Sequence, residues 1–107
     1  MKHFELYGYP TGSLDAIKNL LESALDIKFQ ERESYYRCGK YFRYDYPTQG
    51  RLLLQRNHDE IEDEWTEEAH HNIDLLLYAE DIPPQLELEG ILSQYIPEMT
   101  KLRSETV

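Results

Sequence analysis

Seven carboxylates, three histidines and the chain's lone tryptophan fall within residues 57–71, NHDEIEDEWTEEAHH, and no Lys or Arg interrupts them. Side chains of these types can ligate a metal, move protons or hold a cationic partner, and their spacing discriminates among the three. An EF-hand alternates oxygen ligands around a central glycine, and this run holds no glycine. His58, His70 and His71 fit neither the H-E-x-x-H helix nor a Cys/His zinc spacing, and the adjacent His70 and His71 would face opposite sides of a strand. No metal is therefore expected.

Catalysis finds no better support. Cys38, the one cysteine, falls in a turn-like stretch with no histidine base beside it in sequence. No glycine-rich phosphate loop and no G-x-S-x-G elbow is present. Paired carboxylates for glycoside hydrolysis need a deep cleft, which a domain of this size rarely provides. The expectation is a protein without catalytic residues or cofactor.

Cation capture remains. Residues 1–56 carry nine Lys/Arg against seven Asp/Glu, whereas 57–107 carry two against fourteen, so the net charge of −10 comes almost wholly from the second half. Such a field repels nucleic acid and anionic membrane and speeds encounter with basic proteins. The expected partner-binding residues are Asp59, Glu60, Glu62, Asp63, Glu64, Trp65, Glu67 and Glu68: the carboxylates steer a basic partner and Trp65 anchors it. The plainer alternative is a solvated loop with Trp65 folded back on the core. Crowded carboxylates repel one another, which favours an extended segment. The four-residue spacing of Ile61, Trp65 and Ala69 also permits a short helix.

The elements that would position this segment follow from periodicity. Residues 2–9 alternate, with Phe4 and Leu6 on one face, and Pro10 and Gly12 end the strand. Ser13 can cap a helix whose Leu14, Ile17, Leu21, Ala24 and Leu25 recur at helical spacing. Period two returns over 27–36, residues 37–40 read as a hairpin turn at Gly39, and 41–44 is the returning strand. Leu52, Leu53 and Leu54 place 51–56 at the centre of a sheet, and 73–78 is a further apolar strand. Pro83 and Pro84 introduce a second helix with Leu88, Ile91, Leu92 and Tyr95 on one face, ended by Pro97. The expectation is one α+β domain over 1–107: a single five-stranded, mainly antiparallel sheet, order β-α-β-β-β-β-α, with two helices packed on one face and a mobile tail at 97–107. No stretch of roughly 18 apolar residues or signal-peptide core appears, so the expected location is cytoplasmic, with no membrane partner.

A second reading comes from residues 35–46, where Tyr35, Tyr36, Tyr41, Phe42, Tyr44 and Tyr46 interleave with Arg37, Lys40 and Arg43. Aromatics and cations so mixed can stack on bases and hold phosphates, the composition of a small RNA-binding module. The net negative charge opposes that use, and no nucleic-acid partner is expected. Tyr and Phe also serve as ordinary cross-strand pairs.

Short blocks across residues 4–96 resemble the immunity proteins of contact-dependent growth inhibition and related polymorphic toxin systems, often called CdiI proteins. They are Phe4-Glu5-Leu6-Tyr7-Gly8-Tyr9, Glu31-Arg32-Glu33-Ser34-Tyr35-Tyr36 running into Gly39-Lys40-Tyr41-Phe42, Leu53-Leu54-Gln55-Arg56-Asn57, and Leu75-Leu76-Leu77-Tyr78. Cys38-Gly39 departs from the Gly-Gly expected at that turn. The resemblance implies a cytoplasmic antidote that binds the cognate C-terminal toxin domain of a large effector, commonly a basic nuclease cleaving (t)RNA or DNA, by occupying its active site or substrate surface. Interfaces differ between close relatives in such systems, so the binding residues named above rest on this sequence alone.

Overall fold

A computed structural model describes residues 2–107. Its elements run β1 (His3–Tyr9), α1 (Leu14–Leu25), β2 (Gln30–Ser34), β3 (Gly39–Asp45), β4 (Arg51–Arg56), β5 (His58–Asp59), β6 (Glu64–Trp65), β7 (Leu75–Glu80), α2 (Leu88–Tyr95) and β8 (Thr100–Thr106). Single turns of 3-10 helix occupy Tyr35–Arg37, Glu68–His70 and Pro84–Leu86. Six strands form one sheet in the order β2-β3-β4-β7-β1-β8, and β5 and β6 make a separate two-stranded hairpin. Every pairing is antiparallel. The α+β class is as expected; the strand count and the fate of the tail are not.

The sixth strand is β8, from the segment expected to be a mobile tail. It lies along β1 from His3↔Thr106 to Gly8↔Thr100, with a register shift at Leu6/Tyr7. Its sequence hid this because an edge strand of one layer leaves most side chains in water; only Leu102 is half-buried. Pro97 does end α2, but Ile96 and Met99 are buried on either side of it and bring the chain back to the sheet. The second strand is shorter than expected, 30–34 instead of 27–36: Ile27 and Phe29 face the core, while Tyr35–Arg37 close the hairpin as a 3-10 turn.

Both helices cover one face. The Ser13 hydroxyl caps α1 by accepting from the Ala16 N–H at 3.4 Å, and Asp26 ends it in the left-handed region at φ 54. Leu14, Ile17, Leu21 and Leu25 of α1 and Leu88 and Leu92 of α2 pack with Tyr7, Phe42, Leu52, Leu54, Leu75 and Leu77 in one cluster. These strand residues alternate with those of the opposite face, the period-two consequence of the pleat. In β4 the alternation disappears, because Leu52, Leu53, Leu54 and Gln55 are all buried. At the turn before β4, Gly50 takes φ 78, and a Cβ there would strike the backbone of Glu80 and Asp81, so no other residue fits.

The opposite face is covered only in part. Leu6, Ile73 and Leu76 form a smaller cluster with Tyr78 and Leu102, and residues 66–73 fold over it. The acidic segment is thus tied to the sheet at its C-terminal end. No helix among the described residues is long and apolar enough to cross a membrane.

Candidate partner-binding site

Neither a helix nor an open loop forms over residues 58–65: the segment is a hairpin, with His58 opposite Trp65 and Asp59 opposite Glu64. Short-range polar contacts shape its tip. The Asp59 carboxylate (Oδ1) accepts from the backbone N–H of Ile61 at 3.0 Å and of Glu62 at 3.2 Å, an Asx-type turn. Asp63 follows in the left-handed region at φ 52, with its Oδ1 2.9 Å from His58 Nε2. Aspartate suits both places because its short side chain can bond nearby backbone and tolerates positive φ. The helix-like spacing of Ile61, Trp65 and Ala69 fails because Ile61 sits at the tip, 92% exposed, with nothing to pack on.

Trp65 is half-buried and packs against two imidazoles: the His58 ring lies 4.5 Å away, tilted by 39°, and the His71 ring 4.4 Å away, stacked within 18°. These contacts give Trp65 a structural part beside the anchoring role expected of it. Through these two contacts Trp65 fastens the hairpin to the following turn. Replacing His71 by alanine uncovers one face; we expect Trp65 emission to move to longer wavelength and stability to fall by about 1 kcal/mol, the scale of one aromatic pair. As the chain's single tryptophan, Trp65 reads this directly in a fluorescence spectrum. An unshifted emission maximum would contradict the stack.

Beneath the hairpin lies Asn57, 0% exposed. Its Nδ2 donates to the carbonyls of His70 at 2.9 Å and Ile73 at 3.0 Å, and its Oδ1 accepts from the Glu67 N–H at 2.9 Å. Its own backbone pairs with Asp74 and Thr66. One asparagine thereby closes both ends of residues 57–73. Gln55, 1% exposed, plays a related part, accepting from Arg37 at 2.8 Å and donating to Thr66 at 3.2 Å. Sequence reading missed both. The available signal was a pair of amides directly following an apolar strand, where buried amides must find several partners.

Glu67 also departs from expectation. Its carboxylate turns inward, accepting from the Tyr78 hydroxyl at 2.6 Å and pairing with Arg103 of β8 at 3.0 Å. Burial works to raise its pKa, and the Tyr78 hydroxyl and Arg103 outweigh that and hold the group below the ordinary value of 4.5. A lowered folded-state pKa means stability that is present above pH 4.5 and is lost as pH falls through the folded value. Glu67→Gln should lower the melting temperature at pH 7 by roughly 5–10 °C, for about 1–2 kcal/mol of weakened bonds. The gap from wild type should close in acid. A constant gap from pH 7 to pH 3 would refute the ion-pair account.

The remaining expected residues face outward. Asp59 is half-buried, while Glu60, Glu62, Asp63, Glu64 and Glu68 are exposed. Among the described residues, none of these six forms an ion pair with Lys or Arg, whereas Asp15, Asp45, Glu80 and Glu89 each hold one. Beside the hairpin stand Tyr35 and Tyr36, 68% and 89% exposed, at the β2–β3 turn. A hydrogen bond to Glu62 and the charges of Glu62, Asp59 and Glu64 push the Tyr35 hydroxyl above its ordinary pKa. Tyr35, Tyr36, Asp59, Glu62, Glu64 and Trp65 line one shallow depression. Two sequence features read separately, the acidic segment and the tyrosine-rich turn, therefore meet at one end of the molecule.

The rest of the tyrosine-rich hairpin is absorbed by the fold. Tyr41 and Phe42 are buried, and Tyr44 and Tyr46 meet edge-to-face at 4.9 Å against the core. Burial pushes the Tyr46 hydroxyl up to about 12. Lys40 is held by Asp15 at 3.0 Å and Arg43 by Asp45 at 3.0 Å. No group of three or more His, Cys, Asp or Glu among the described residues is arranged to hold a metal. No family model matches the chain, and no curated protein does either.

Proposed function

We propose that this chain is a cytoplasmic immunity protein that binds and neutralises a basic toxin domain, a nuclease by its chemistry, through the end bearing the β5–β6 hairpin. One observation carries the reading: Glu62 and Glu64, without Lys or Arg partners among the described residues, line one depression with the exposed Tyr35 and Tyr36, and Glu60 and Ile61 are exposed at the tip of the same hairpin. Carboxylates that ring an apolar and aromatic centre combine long-range steering with a desolvated contact. A nuclease presents cations to phosphate, so an acidic protein of this shape can occupy its substrate surface. The anchors in this reading are Tyr36 and Ile61, with Trp65 supporting the hairpin behind them.

The test begins with the reading frame beside this gene. Its product, expressed as the C-terminal domain, should arrest growth, and co-expression of this chain should restore it. The two proteins should co-purify, with affinity falling as salt rises. A basic neighbour that neither binds at low salt nor is neutralised would refute the proposal.

A further inference from the structure

We infer that the outer edge of β2 is a second contact surface for the same partner, taking up an extended basic segment as an added strand; this rests on the proposed capture of a basic protein. β2 is the margin of the six-stranded sheet. Its inner edge is fully used, from Gln30↔Arg43 to Ser34↔Gly39. Among the described residues no other segment donates to or accepts from the backbone of Gln30–Ser34. Gln30 to Glu33 are all exposed. An open edge of this kind is a template for strand addition, in which main-chain bonds supply affinity and alternate side chains supply selectivity.

The side chains state which strand fits. Glu31 lies opposite Phe42 and Glu33 opposite Lys40, so both carboxylates share the helix-covered side, two residues apart. Lys40 is committed to Asp15 at 3.0 Å, and among the described residues neither Glu31 nor Glu33 has an ion pair. An incoming strand presents its own alternate residues at that spacing, so a basic-x-basic pattern meets both charges. Between them Arg32 points to the other face, bonded to Gln30 at 2.8 Å, and opposes a third cation there. A second copy of this chain is disfavoured: two-fold antiparallel pairing centred on Glu31, Arg32 or Glu33 sets like charges against each other.

The opposite margin of the sheet differs. β8 is bulged opposite Leu6/Tyr7, and the carboxylates near it are already paired, Glu5 and Glu89 with Lys101 and Glu67 and Glu105 with Arg103, so among the described residues it offers a basic strand no free charge of opposite sign. β2, by contrast, runs at Ser34 directly into Tyr35 and Tyr36. A strand docked there continues onto the acidic hairpin without a break.

The experiment uses the whole protein and three capped peptides of alternating Lys and Val: one unmodified, one N-methylated at every Lys, one at every Val. Only one set of amides faces β2 in an added strand. That methylated peptide should bind at least about tenfold more weakly, the scale of two or more lost hydrogen bonds, while the other keeps its affinity. Amide exchange in Gln30–Ser34 should slow at alternate residues. Equal affinities for all three, with slowed exchange confined to residues 57–65, would overturn strand addition and leave basic-partner capture standing. No binding by any of them at low salt would overturn both.

Discussion

Asn57→Ala is expected to destabilise the protein by about 3 kcal/mol, because it removes three hydrogen bonds made by a buried side chain, at roughly 1 kcal/mol or more each. The Ile73 carbonyl and the Glu67 N–H would lose this partner, and the His70 carbonyl would keep only the Ile73 N–H, around a side chain that is itself 0% exposed. For a domain of this size the melting temperature should fall by roughly 10–20 °C. Local opening should accompany it, with faster amide exchange through residues 58–66, since Asn57 closes both ends of that loop. Asn57→Asp should be no better: it keeps the acceptor but sets a carboxylate against two carbonyl oxygens. Denaturant unfolding measures the first effect, and a loss below about 1 kcal/mol would show that water replaces the amide.

The second large effect concerns binding and spares the fold. Glu60, Glu62 and Glu64 are exposed and shape no turn, unlike Asp59 and Asp63. Changing all three to lysine should leave stability within about 0.5 kcal/mol, as surface substitutions do. Association with the basic partner should slow by roughly 100-fold at low salt. The deficit should shrink as ionic strength approaches about 0.15 M, where charges more than about 8 Å apart are screened. Tyr36→Ala should instead raise the dissociation rate, costing about 2 kcal/mol as a central aromatic does. Stopped-flow association at several salt concentrations separates the two. A triple variant that associates like wild type would remove the hairpin from the interface.

Only part of the site was legible in the sequence. The carboxylates that reach solvent were visible as composition, since a run of acids without Lys or Arg has no local means of neutralisation. Asp59, Asp63, Trp65 and Glu67 belonged to the same run, yet the fold gives them other work: two shape the turn, one packs against two histidines, one is paired with Arg103. Arg103 lies 36 residues downstream, and its strand was read as a tail. No local pattern could have linked them.

By itself the sequence determined the α+β class, the central leucine strand, both helices and the concentration of charge in the second half. Each of these depends on near neighbours: periodicity, caps, turn residues and the sum of formal charges. Tertiary structure decided the rest: the edge position of β8, the burial of Asn57 and Gln55, the inward turn of Glu67, and the meeting of Tyr35 with Glu62. Those depend on groups far apart in the chain becoming adjacent, and a polar residue shows its partner only once the sheet has brought that partner to it.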